Sequence, residues 1–113
     1  MAEVEITVQS ATFNGVEATY TTDSTLNGTD TFQFKNDGKT IMHFKNGDSS
    51  QHTVTVETPR KVSGLDVAEV SVDLGASVEK FIGPFPPGTF NAGGLVSFTL
   101  DAGTSMEVAI LRL

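Results

Sequence analysis

The chain has 113 residues, a length that fits one domain, residues 1–113, built around a single core. It contains no cysteine, which excludes disulfide scaffolds, thiolate metal sites and cysteine nucleophiles. Seven Lys and Arg against fourteen Asp and Glu give a net charge of −7, and the basic residues are scattered. Because nucleic acids and anionic membranes are bound through clustered cations, we expect neither as a partner.

The first residues lack the basic and then apolar pattern of a secretory signal, and no apolar run approaches the roughly 20 residues that cross a bilayer. These features predict synthesis in the cytoplasm.

Apolar and polar residues alternate through most of the chain, which predicts β-strands and no helix. In chain order, we predict a strand on Val4, Ile6 and Val8, and then one bulged or two short strands over 11–20, around Asn14-Gly15. A loop at 21–30 precedes a strand around Phe32 and Phe34, a turn at 36–39, a strand at 41–45, a turn at 46–50 and a strand at 52–57. One longer strand with a bulge is predicted over 65–74, followed by strands at 78–82, 95–100 and 106–113 and an irregular segment at 83–94.

Eight or nine short strands with regularly spaced turns predict an all-β fold, a two-sheet antiparallel sandwich of jelly-roll or immunoglobulin-like type. The last strand carries apolar residues on both faces, so we expect it at the centre of a sheet or beneath a partner subunit.

Two histidines flank the turn at 46–50. If that turn closes a symmetric hairpin, His43 and His52 lie opposite each other, with side chains within roughly 5 Å. Such a pair could bind a metal or respond to pH. Because the neighbours Ile41 and Val54 are apolar and no third ligand is evident, a simple cross-strand pair is favoured, and we expect no metal and no cofactor.

The sequence also predicts a protein that is not an enzyme. It has no Gly-x-Ser-x-Gly elbow, no paired histidines one residue apart and no calcium loop with alternating oxygen ligands. A carbohydrate-binding module is a weaker alternative, because such modules stack sugars on Trp or Tyr and this chain has no Trp and only Tyr20.

The most unusual segment is 81–90, which holds three Phe and three of the four Pro residues. A stiff loop that presents aromatic groups is suited to protein contact. The alternative is that at least two of Phe81, Phe85 and Phe90 cap the end of the sandwich.

Several segments spread along the chain are similar to small structural proteins of tailed bacteriophages, which include head decoration, or cement, proteins. The resemblance is carried by residues 1–4 (MAEV), 43–45 (HFK), 58–68 (TPRKVSGLDVA), 80–87 (KFIGPFPP) and 108–113 (VAILRL). It implies a virion protein on the outer capsid surface that bridges neighbouring copies of the major capsid protein and self-associates, as a trimer rather than a dimer. A tail or neck module is the alternative within the same resemblance.

Under this hypothesis, the contacts with the capsid or with other subunits come from three segments. They are the N-terminal segment (residues 2–8), the 21–30 loop and the segment 81–90, which we call the proline-aromatic loop. The candidate contact residues are Val4, Ile6, Val8, Leu26, Pro84, Phe85, Pro86, Pro87 and Phe90. The N-terminal segment, residues 2–8, could add a strand to the edge of a capsid sheet.

Overall fold

The computed structural model describes residues 3–59, 61–66 and 68–113. Its strands are β1 (Glu3–Glu5), β2 (Gln9–Ser10), β3 (Thr31–Lys35), β4 (Thr40–Asn46), β5 (His52–Val56), β6 (Lys61–Val62), β7 (Leu65–Asp66), β8 (Val70–Leu74), β9 (Glu79–Ile82), β10 (Leu95–Leu100) and β11 (Met106–Arg112). A single turn of helix, α1 (Pro87–Phe90), lies between β9 and β10.

The strands form a two-sheet sandwich, as the alternating pattern predicts. One sheet has the order β1-β3-β10-β5-β8 and the other has the order β2-β11-β4-β9, while β6 and β7 form a separate hairpin. Most strand pairs in the two sheets are antiparallel, as predicted, but the sheets are mixed because each has one parallel pair at an edge. There β1 runs parallel to β3 and β2 runs parallel to β11. The long chain segments between these partners provide the crossover that parallel pairing needs.

The pairing order identifies the sandwich as a jelly roll. Within the two sheets, β5 and β8 are the innermost pair in sequence, and only the separate β6–β7 hairpin lies between them. Outside them β4 pairs with β9, and β3 pairs with β10. An isolated bridge between Thr21 and Val108 is the outermost pair. These nested pairs form one long hairpin, which is rolled up when β10 pairs with β5 and β11 pairs with β4.

The core lies between the sheets and is built from alternate residues of the central strands. In β4 the residues alternate strictly between buried and half-buried, and β3, β5 and β10 follow the same rule. The Phe98 ring lies at the centre, with ring centroids 5.6 Å from Phe32, 6.2 Å from Phe34 and 5.6 Å from Phe44. Burial of these large rings supplies much of the driving force for folding.

The last strand is central, as predicted. β11 lies between β2 and β4, and Met106, Val108 and Ile110 face the core. Ala109 is also fully buried, although it points to the other face.

Two predicted strands are wrong. Residues 11–20 contain a turn closed by the bond from the Gly15 N–H to the Thr12 carbonyl, but no strand, because their side chains are mostly exposed and have no core to face. The predicted long strand at 65–74 is broken: Leu65 and Asp66 pair with β6, and pairing with β5 begins only at Val70. Val67, within that predicted strand, lies outside the described residues, as does Ala2 in the predicted N-terminal segment.

Candidate functional site

An aromatic group lies on the outer face of the four-stranded sheet. Alternate residues of β4, including His43, point away from the core. The strand register places Phe81 of β9 on one side of His43 and Ala109 of β11 on the other. Tyr20 reaches the same histidine from the segment that follows β2. We call Tyr20, His43 and Phe81 the aromatic surface.

Ring contacts and hydrogen bonds hold the aromatic surface together. The His43 ring stacks on Phe81 with centroids 4.3 Å apart and an interplanar angle of 12°, and it meets Tyr20 edge-on at 5.7 Å. Its Nε2 lies 3.0 Å from Glu79 Oε1, and its Nδ1 lies 2.9 Å from the Tyr20 hydroxyl oxygen. An ionised carboxylate only accepts hydrogen bonds, so Nε2 donates to Glu79, and in the neutral ring the Tyr20 hydroxyl donates to Nδ1.

The aromatic surface presents one ring face to solvent beside charged groups. Phe81 is 68% exposed, whereas His43 beneath it is half-buried. The Lys45 ammonium lies 4.2 Å from the centroid of the Tyr20 ring, a cation–π contact that covers the only tyrosine. This arrangement favours Phe81, rather than Tyr20, as the ring that is free to contact a partner.

The proline-aromatic loop has a buried base and an exposed ridge. The Phe85 ring is 3% exposed and lies 5.8 Å from Phe34 and 5.2 Å from Phe90, measured between centroids. Phe85 and Phe90 therefore cap the end of the sandwich, as the alternative interpretation of this loop predicts, while Phe81 does not. The ridge consists of Pro84, Pro86 and Pro87, all exposed.

Two buried asparagines fix this loop to β3. The Asn36 amide donates to the Phe85 carbonyl at 2.9 Å and to Asn91 Oδ1 at 2.8 Å. In return, the Asn91 amide donates to the Asn36 carbonyl at 2.8 Å. Because buried polar groups need hydrogen-bond partners, these amide bonds hold the proline-aromatic loop in a fixed position against the end of β3. Asn36 lies in the predicted turn at 36–39 and Asn91 in the predicted irregular segment at 83–94, and no spacing in the sequence connects the two asparagines.

Several predicted contact residues belong to the core instead. Ile6, Leu26 and Phe85 are all less than a tenth exposed, and Val4, Val8 and Phe90 are half-buried and pack against the core cluster. Packing in the core explains the apolar character of these residues, and the three buried side chains offer little surface to a partner. Among the predicted contact residues, only Pro84, Pro86 and Pro87 of the ridge are exposed to solvent.

The predicted histidine pair does not form. The turn at 46–50 leads from one sheet to the other, so β4 pairs with β11 and β9 while β5 pairs with β10 and β8. His43 therefore faces outward on one sheet, whereas His52 is buried at the end of the other, between Asp48 and Asp101. A symmetric hairpin was the wrong premise, because the jelly roll separates these consecutive strands.

Within residues 3–59, 61–66 and 68–113, no group of three or more His, Cys, Asp or Glu side chains is arranged to hold a metal ion. No helix in the same part of the chain has the length and apolar character to span a membrane.

The fold and surfaces define an all-β jelly-roll module with an exposed aromatic surface and a fixed proline ridge. Comparison with protein-family models, with curated proteins and with solved structures found no match to this chain.

Proposed function

We propose that the chain is a bacteriophage capsid decoration protein, which binds the outer surface of the head and bridges neighbouring major capsid subunits. The observation that carries the proposal is the aromatic surface, where the 68% exposed Phe81 is stacked on His43 within a hydrogen-bonded sheet. Exposed aromatic anchors on a rigid base are typical of protein interfaces. The resemblance of several chain segments to phage structural proteins is the reason for proposing the major capsid protein as the partner.

The aromatic surface and the proline ridge are the proposed contact surfaces. Both are held in one conformation before binding, the first by the Tyr20–His43–Glu79 hydrogen bonds and the second by Asn36 and Asn91. Binding then costs little conformational entropy, which favours affinity from a small area.

The strand-addition role first expected for the N-terminal segment is less favoured. The backbone of residues 3–5 already pairs with β3, and the Ile6 N–H donates to the Gln33 carbonyl at 2.8 Å. Adding this segment to a capsid sheet would first require these bonds to break.

In the proposed assembly, self-association supplies avidity. A trimer that presents three aromatic surfaces converts weak single contacts into durable attachment, because the second and third contacts form at high effective concentration. The net charge of −7 keeps the free subunits soluble before they bind.

Quantitative mass spectrometry of purified virions tests the role. Hundreds of copies per particle would support shell decoration, and about a dozen or fewer would indicate the tail or neck alternative.

A binding experiment tests the surface itself. Purified protein is added to capsids that lack it, and the bound fraction is measured by co-sedimentation for wild type, Phe81→Ala and Phe13→Ala. Phe13 is fully exposed on the loop that follows β2, so it is a matched phenylalanine outside the sheet. We expect Phe81→Ala to lower binding by at least tenfold and Phe13→Ala to leave it within about twofold, since anchor residues contribute about 2 kcal/mol or more. Equal binding by all three proteins would reject the aromatic surface as the contact.

A further inference from the structure

Three loops meet where β4 ends: residues 22–28, 46–50 and 101–105. The backbones of the first and third are in direct contact, since a β-carbon added at Gly103 would lie 2.0 Å from the Leu26 carbonyl oxygen. This end of the sandwich is distant from the proline ridge, which adjoins the first residue of β4.

A buried histidine connects two of these loops. His52 is 5% exposed; its Nε2 lies 2.9 Å from Asp48 Oδ2, and its Nδ1 lies 3.1 Å from Asp101 Oδ1. Asp48 belongs to the 46–50 loop and Asp101 begins the 101–105 loop. Ionised carboxylates accept hydrogen bonds and cannot donate them. The ring can satisfy both partners only when it carries a proton on each nitrogen, which makes it an imidazolium cation.

The surroundings of His52 are acidic or neutral. From β8, the residue opposite is the apolar Leu74, and the adjacent Asp73 accepts a bond from the Thr53 hydroxyl at 2.9 Å. From the 22–28 loop, Asp23 accepts a bond from the Ser105 N–H at 3.2 Å. Asp48 and Asp101 are the carboxylates whose hydrogen bonds and charges favour the charged ring.

The direction of the proton equilibrium agrees with this geometry. Burial lowers the pKa of His52, but the hydrogen bonds and charges of Asp48 and Asp101 outweigh it, so the pKa is raised above its ordinary 6.5. The hydrogen bond from His52 lowers the pKa of Asp48 below 3.8. The histidine contribution to stability is therefore complete below pH 6.5 and is lost as pH rises through the folded-state pKa. The Asp48 contribution is present above pH 3.8 and is lost in stronger acid.

We propose that His52 is a pH-sensitive clamp that holds the 46–50 and 101–105 loops together, and with them the 22–28 loop, so that this end of the sandwich is ordered in mild acid and loosens when the ring loses its second proton. After deprotonation, one of the two carboxylates faces a ring nitrogen that has no proton. Its loop then loses its only bond to the histidine.

Nuclear magnetic resonance of the full chain tests the clamp between pH 5 and pH 9. The ring nitrogen shifts of wild-type His52 should report a cation at pH 6. Amide-exchange protection, corrected for intrinsic rates, should fall in the 22–28 and 101–105 loops by up to tenfold per pH unit between 6.5 and the folded-state pKa, and then level off. Residues of β3 serve as the internal reference.

Two variants separate His52 from the other histidine. His52→Gln should abolish this pH dependence, because glutamine does not titrate, and His43→Gln on the opposite face should retain it. A neutral His52 ring at pH 6, or loop protection that does not change with pH in the wild type, would overturn the proposal. Both measurements use the wild-type protein, so they decide the question even if His52→Gln fails to fold.

Discussion

The pair of buried asparagines offers the sharpest test of how the proline-aromatic loop is held. Asn91→Ala removes at least two hydrogen bonds at once, the one that Asn91 donates to the Asn36 carbonyl and the one that it accepts from the Asn36 amide, each 2.8 Å long. Both asparagines are less than a tenth exposed, so the Asn36 groups that lose their hydrogen bonds remain out of contact with bulk water.

The expected loss of stability follows from the two groups of Asn36 that lose their partner, its carbonyl oxygen and one N–H of its side-chain amide. A buried polar group without a partner costs about 1–3 kcal/mol, so two of them predict a loss of about 2–6 kcal/mol in the free energy of unfolding. Water that enters the vacated space would bring the loss towards the lower end. The bond from the Asn36 amide to the Phe85 carbonyl remains, so we expect a folded but weakened protein.

Urea unfolding followed by circular dichroism measures the loss. Asn14→Ala is the matched control, because Asn14 is exposed and its replacement should change stability by no more than about 0.5 kcal/mol. Asn91→Asp keeps the shape but points a carboxylate at the Asn36 carbonyl, so its deficit should shrink as pH falls and the carboxyl gains a proton. If Asn91→Ala proves as stable as Asn14→Ala, these bonds do not hold the loop, and the reasoning is refuted.

Three further experiments separate core from surface and test a sheet edge and a loop contact. Phe85→Ala should cost about 3–5 kcal/mol in chemical unfolding, whereas Phe81→Ala should cost less than about 1 kcal/mol; equal losses would contradict their assigned places. Lys80 lies on edge strand β9, where a charged side chain opposes pairing with a strand of another molecule. Lys80→Val should therefore increase self-association in sedimentation velocity, and an unchanged monomer–oligomer balance would show that Lys80 does not prevent such pairing. Gly103→Ala should lower the melting temperature because its β-carbon would meet the Leu26 backbone, whereas Gly88→Ala, which has open space, should not; similar melting temperatures would count against the tight loop contact.

The sequence predicted the parts of the fold where local pattern and burial agree. In β3, β4, β5 and β10 every second residue is buried, so period-two alternation located them. The alternation cannot reveal which strands pair, because the same turn at 46–50 can close a hairpin or cross between sheets. That ambiguity produced the incorrect pairing of His43 with His52.

The candidate site was predictable only in part. The proline and phenylalanine content of 81–90 marks this segment as unusual, but composition alone cannot separate the buried Phe85 from the exposed Phe81. The aromatic surface joins Tyr20, His43 and Phe81 from three distant segments, and only the register of β4 with β9 brings two of them together. Short apolar segments at an edge or in a loop, such as those that contain Ile6 and Leu26, have the same sequence pattern whether they face a partner or their own core.

Electron cryo-microscopy of virions from the phage proposed to encode this protein tests the decoration role most directly. Decoration predicts density for the jelly-roll sandwich at repeated positions on the outer surface of the head, with Phe81 and the proline ridge facing the major capsid protein. Density for the chain in the tail or neck, or none on the shell, would contradict it.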